Sequence, residues 1–399
     1  MRRALTLAAV PLALVAFFAA ISRYATADEE TPFVPASSDV VVERLPTGAS
    51  DPESRTDQER RRRLAANPTD LRLALRVARR DIELSRSRSD PRYLGHAEAA
   101  LAPWYKLPAP PYEVRLLRAT IRQSNHDFDG ALTDLAAART LRDDDPQLHL
   151  TLAVILTVRA EYPAATKECV RVRELSQPYP ADVCETAIMA VTGHAGPAYE
   201  KLERATAALH PSQQDLRAWG LSTLGEIALR KGDDAAAEAR FKEALAQDPN
   251  DAYVLGAYAD LLLDLGRPAE VLPLVASRAE NDALLLRAVL AERALPSAKK
   301  DFERDAALLR ARYDASRARG DVVHRREQAR FALVGDDDAQ RALRLARENY
   351  DVQREVTDAR ILLEAASAAG DPAAADKARA WVRESGIEEP RLRALAAAR

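Results

Sequence analysis

From residue 57 onward, apolar and polar positions recur with the period of an amphipathic helix almost to the end of the chain. Residues 218–251 show the unit most clearly. Leu221, Leu224, Ala228 and Leu229 fall at offsets of 0, 3, 7 and 8, which places them on one helical face. Gly232-Asp233 interrupts the pattern, and a second face then forms from Ala237, Phe241, Ala244 and Leu245. Asp248-Pro249-Asn250-Asp251 ends it, because proline cannot continue a helix. The segment reads as helix–turn–helix.

The small residue that opens the packed part of the second helix recurs along the chain. It stands at Ala97, Ala131, Ala165, Ala198, Ala237, Val271, Ala342 and Ala375, with gaps of 34, 34, 33, 39, 34, 71 and 33. The gap of 71 holds two units, the missing position falling near Ala306. A small side chain at this phase lets the two helices of a unit approach closely. Turn signals at Gly232-Asp233, Gly266-Arg267 and Gly370-Asp371 share a phase, and Asn67-Pro68, Asp145-Pro146, Tyr179-Pro180 and Asp248-Pro249 separate units. The pattern predicts about nine helix pairs over residues 57–386 and a short capping helix in 387–399. Residues 296–320 carry a poor version of the repeat and read as one long charged helix with a bend or break in the stack. Runs rich in β-branched or aromatic residues are scarce, Val40-Val41-Val42 being the clearest, so the fold class is all-α.

Leu224-Gly225, Ala237, Phe241, Ala244 and Pro249 resemble the tetratricopeptide repeat, with Leu221 in place of that family's early Trp and Ala228 in place of its Tyr. The resemblance implies a right-handed superhelical solenoid of about nine such repeats. It also implies a concave groove, lined mainly by first helices, that takes an extended peptide or a helix. The polar and aromatic positions corresponding to that groove are Glu113, Thr120, Gln123, Trp219, Glu226, Tyr253 and Asp260. They do not reproduce the Lys/Asn/Arg set with which some family members clamp a peptide carboxylate. They suggest a mixed, slightly acidic groove around Glu226 and Asp260.

The N-terminal residues carry a different signal. Arg2 and Arg3 precede an apolar stretch from residue 4 to 21, and Ala25-Thr26-Ala27 follows just before Asp28-Glu29-Glu30. Residues 1–27 therefore read as a secretory signal peptide cleaved after Ala27. The 18 apolar residues are also just long enough for an uncleaved membrane anchor. Residues 28–56 hold Pro32, Pro35, Pro46 and Pro52 and read as an irregular lead-in. The chain is rich in alanine and arginine and carries a net charge of −3 with both signs interspersed, which gives no electrostatic reason to expect nucleic acid. With the export signal, this usage points to bacteria. The stretch from Asp90-Pro91-Arg92 through Ala102-Pro103-Trp104 is similar to exported bacterial repeat proteins of undefined activity.

Few residues suggest chemistry. No two of His96, His126, His149, His194, His210 and His324 have helical metal-site spacing, and they read as surface or turn histidines. No phosphate loop, dinucleotide fingerprint or nucleophile elbow occurs. Asp143-Asp144-Asp145 and Asp336-Asp337-Asp338 lack the alternating ligands of a calcium loop and read as inter-helix caps. Arg60-Arg61-Arg62-Arg63 reads as a solvated helix face. Cys169 and Cys184 sit on adjacent antiparallel helices. They are either a disulfide or two buried thiols, and the export signal favours the disulfide. No catalytic, cofactor or metal residue is expected. The expected function is a non-enzymatic protein–protein interaction scaffold of the bacterial cell envelope, periplasmic or secreted, with a peptide or protein partner. The alternatives are an assembly factor anchored in the inner membrane and a helical accessory part of a cell-wall enzyme.

Overall fold

A computed structural model of the chain describes residues 52–88, 90–276, 281–318, 320 and 324–398. The expected signal peptide, and the lead-in as far as residue 51, lie outside the described residues. The first described helix, α1 (Pro52–Ala66), begins inside the stretch expected to be irregular. Pro52 opens it, where a missing N–H costs nothing.

The chain divides into two compact units. The larger comprises residues 45–312 and 322–399; the smaller comprises residues 1–44 and 313–321, whose described part is a helix end in which Arg317 pairs with Asp314 at 2.6 Å. All that follows concerns the larger unit.

Nine successive helix pairs run through the described residues. They begin with α2 (Leu71–Arg88) and α3 (Arg92–Ala100), followed by a single turn, α4 (Ala102–Tyr105). Next come α5 (Tyr112–Ser124) with α6 (Phe128–Arg139), and α7 (Pro146–Val158) with α8 (Tyr162–Leu175). The fourth pair is α9 (Pro178–Val191) with α10 (Ala195–Ala207), and the fifth is α11 (Gln214–Lys231) with α12 (Asp234–Gln247). Then follow α13 (Ala252–Asp264) with α14 (Pro268–Val275), and α15 (Asp282–Ala294) with α16 (Lys299–Ala318). The last pairs are α17 (Arg325–Val334) with α18 (Ala339–Val352), and α19 (Val356–Ala368) with α20 (Asp376–Ser385). A final helix, α21 (Pro390–Ala397), ends the described chain. The fold is an all-α solenoid of tetratricopeptide-like helix–turn–helix units.

The repeat series holds at the level of packing. Ala97, Ala131, Ala165, Ala198, Ala237, Val271, Ala342 and Ala375 have no exposed surface, and Ala306, the position inferred inside the long gap, is 3% exposed. The Leu-Gly pair is explained in the same way. A Cβ on Gly225 would overlap the buried Phe241 ring, so glycine lets α12 seat its aromatic against α11. The aspartates cap helices as expected. Asp145 accepts from the Gln147 amide at 2.9 Å, and Asp338 accepts from Arg341 at 3.0 Å. Asp336 instead pairs with Arg310 at 2.6 Å. Residues 296–320 begin with a short 3₁₀ turn and continue as α16, the long charged helix of the sequence reading.

The C-terminal helices do more than cap the stack. They return against the ends of earlier first helices. The Arg354 amide donates to the Val158 carbonyl at 2.7 Å, and Trp381 Nε1 donates to the Tyr162 hydroxyl at 2.9 Å. The Ala195 amide donates to Glu388 at 2.8 Å, and Arg230 pairs with Glu389. Arg391 grips Asp234 through two bonds of 2.8 Å, and Arg360 grips Asp264 at 2.6 and 2.7 Å. A backbone also meets a ring here. Gly232, at φ 75°, lies so near Pro390 that a Cβ would stand 2.6 Å from its ring, which closes the position to any other residue. The apolar cluster of α17–α21 takes in Ala160 and Val191 from the same row of turns.

Candidate binding groove

First helices differ in length. α5, α7 and α13 have 13 residues each and α9 has 14, whereas α2 and α11 have 18. α5, α7 and α13 start 19 residues, and α9 starts 20, before the small packed residue of the following helix; α11 starts 23 before Ala237. The irregular gap of 39 in the repeat series is this added length. It gives α11 an overhanging N-terminal turn that carries Gln214 and Asp215.

Beside that overhang lies a cavity of about 620 Å³ between α7, α9, α11 and α13. Its floor is apolar, with Leu150, Ala153 and Val154 from α7, Val183 and Ala187 from α9, and the half-buried Trp219 from α11. Val154 is 40% exposed there, although it lies on a helix whose other faces are packed. Glu355, at the start of α19, stands on the side that the returning C-terminal helices occupy. The other side is bordered by Asp215, by Asp248 at the end of α12 and by Asp251 at the start of α13.

The Cys169–Cys184 disulfide ties α8 to α9 directly behind the floor, with a Cα–Cα separation of 5.7 Å, and Cys184 itself lines the cavity. Of the two readings left open by the sequence, the bond is the one found. It fixes the floor helix against its neighbour at the point where a ligand would press on it.

The seven groove candidates divide. Trp219, Glu226 and Tyr253 line the cavity. The Tyr253 hydroxyl donates to Glu226, and Tyr253 remains 59% exposed. Burial raises the Glu226 carboxyl above its ordinary range, while Arg230 pulls it down. Asp260 is engaged by the chain itself: Arg287 binds it at 2.7 and 3.1 Å, and Arg330 at 2.6 Å. Burial opposes its ionisation, but the two guanidinium groups outweigh burial and hold it at about 2. The three candidates on α5 stand outside the cavity lining. Thr120 is buried and donates to the Leu116 carbonyl at 2.9 Å, Glu113 meets Arg142 at 3.5 Å, and Gln123 is half-buried on the last turn. Sequence reasoning missed Val154, Val183, Asp215, Asp248, Asp251 and Glu355. For Asp215 the signal was the gap of 39, since that residue lies in the added length of α11.

Two other expectations change. His149 has no exposed surface and is no surface histidine. Its Nδ1 meets Glu168 at 2.7 Å and its Nε2 meets the Asp143 carbonyl at 3.0 Å, so it ties α7 to α8. Within the arginine run, Arg61 reaches the buried Asp81, which makes it a link between α1 and α2. Among the described residues, no group of three or more His, Cys, Asp or Glu side chains could hold a metal ion. The Ser222 and Thr223 hydroxyls in the cavity wall bond back to the Trp219 carbonyl at 2.8 and 2.9 Å, and no described lining residue is a histidine or lysine that could activate them.

Paired helices and a recurring small contact residue define the class: a helical-repeat protein, here with an open groove among its first helices. No protein-family model and no curated protein matches the chain. Solved structures similar to it include the pilF protein of Pseudomonas aeruginosa, at 17% identity over 52% of this chain and 94% of that one, with a TM-score of 0.37. A tetratricopeptide repeat protein from Parabacteroides merdae is 15% identical over 72% of this chain and 98% of that one, with a TM-score of 0.35. Yeast Tom70 is 13% identical over 86% of this chain and 84% of that one, with a TM-score of 0.42. At such distances the tetratricopeptide-like reading rests on the repeat spacing and helix pairing of this chain.

Proposed function

We propose that this protein is an exported, non-enzymatic interaction scaffold of the bacterial cell envelope that holds a peptide or protein segment in the groove between α7, α9, α11 and α13. The carrying observation is the apolar floor of the cavity, with Val154 exposed and Trp219 half-buried beside the N-terminal turn of α11. A hollow of this size with an apolar base and polar edges is the usual form of a ligand-binding site. The paired hydroxyls of Ser222 and Thr223 favour binding over catalysis. The disulfide supports an oxidising compartment.

Selection of random linear peptides displayed on phage tests the groove. The Val154→Arg substitution places a long charged side chain on the floor at an exposed position and leaves the core untouched. Peptides selected by the native protein are expected to fail on this variant. Equal binding to both proteins, or no selected peptide, overturns the assignment. Cell fractionation with mass spectrometry of the native N-terminus tests export, with a start at Asp28 in the periplasm or medium expected. A retained N-terminus in the membrane fraction would favour the anchored assembly factor that the apolar residues 4–21 also allow. No helix among the described residues is long and apolar enough to cross a membrane.

A further inference from the structure

The groove carries charge of one sign. Its described lining residues include the carboxylates Asp215, Glu226, Asp248, Asp251 and Glu355, and no Lys or Arg. Most acidic residues elsewhere on the first-helix row are met by arginine. Asp260 takes Arg287 and Arg330, Asp264 takes Arg360, and Asp182 takes Arg173 at 2.8 Å. Even within the groove, Glu355 is drawn toward Arg326 and Glu226 accepts from Tyr253. Asp215, Asp248 and Asp251 differ. No salt bridge among the described residues involves them; Asp248 accepts from the Asn250 amide at 2.9 Å and Asp251 from the Tyr253 and Val254 amides at 2.9 and 3.1 Å. Each of the last two satisfies a turn or cap with one oxygen and leaves the second beside the cavity. Asp215 is exposed on the overhanging turn of α11.

We propose that the occupant of this groove is a cationic segment of another protein, with an apolar side chain seated on Val154 and Trp219 and flanking Lys or Arg residues meeting Asp215, Asp248 and Asp251. The inference rests on the groove being a peptide site, and it names the chemistry of the peptide. Charge complementarity carries it. Asp248 and Asp251, three residues apart at one edge, repel one another, and a partner's cations relieve that repulsion. Their position on one edge, with the apolar floor behind them, demands basic and apolar residues on the same face of the bound segment. A purely anionic or purely apolar segment would meet only one half of the surface.

The phage-selected peptides provide the test. Peptides that bind the native protein and fail on Val154→Arg are expected to pair an apolar residue with Lys or Arg, and to bind more weakly as salt rises. The triple variant Asp215→Asn, Asp248→Asn, Asp251→Asn removes the charge and keeps a side chain that still caps and bonds the turns. It should weaken such peptides about tenfold, each rim pair contributing a fraction of the total. Selected peptides that are acidic or neutral, or an affinity unchanged in the triple variant, overturn the cationic partner while leaving the groove assignment intact. Peptides that bind Val154→Arg as well as the native protein overturn both. A circular dichroism spectrum matching the native one keeps the triple variant interpretable.

Discussion

Glu292 lies on α15, 6% exposed, and its Oε2 has no hydrogen-bond partner. Burial pushes its carboxyl from 4.5 up to about 7, with the adjacent Asp305 and Asp301 adding to the effect and Arg304 opposing it. Arg304 is itself occupied by Asp301 at 2.7 Å and Asp305 at 2.6 Å. The folded state therefore holds a proton that the unfolded chain releases at lower pH. The contribution of Glu292 to stability is fullest below 4.5, falls as pH rises through the interval to about 7, and is level above it. At 1.36 kcal/mol per unit, the loss across that interval is about 3 kcal/mol. In Glu292→Gln the amide cannot ionise and can donate to Asp305. Urea unfolding, followed by circular dichroism from about pH 4 to pH 8, should show the two proteins nearly equal at the acid end. The variant should be more stable by about 3 kcal/mol at the alkaline end. Parallel curves, with the same difference at every pH, would refute the proton-holding pair.

Other perturbations follow from the same structure. Replacing Cys169 and Cys184 with alanine opens a loop of 15 residues and should lower stability by about 3 kcal/mol in urea titration. Gly225→Val drives side-chain atoms into the Phe241 ring and should cost about 1–3 kcal/mol, seen as a lowered Tm. Arg360→Ala with Arg391→Ala removes the grips on Asp264 and Asp234. Amide hydrogen exchange should accelerate in α19–α21 and stay unchanged in α2–α6.

The solenoid was legible because its information is local. One small residue per unit and the turns between helices repeat in the sequence itself, and the nine tracked positions are all buried. The groove was legible only in part. Trp219, Glu226 and Tyr253 sit on faces that the repeat phase already oriented. The arginines that engage Asp260 were not legible, because Arg287 is 27 and Arg330 70 residues away. For Thr120, a hydroxyl that bonds its own helix is indistinguishable in sequence from one facing a ligand. Asp215 was passed over because the added residues of α11 registered as noise in the period rather than as a projection. The return of the C-terminal helices was illegible for the same reason as Asp260: Ala195 and Glu388 are 193 residues apart.

That return also changes how the protein can come into being. A stack of repeats usually gains order neighbour by neighbour, so a partial chain is a partial protein with working pieces. Here Glu355 stands at one side of the groove, and the C-terminal helices around it lie against turns made about 160 to 220 positions earlier. A chain emerging N-terminus first must keep its apolar floor uncovered on that side until nearly its last helix arrives. The binding site is thus a property of the finished molecule. A product that stops before α19 keeps the apolar floor and lacks this edge of it.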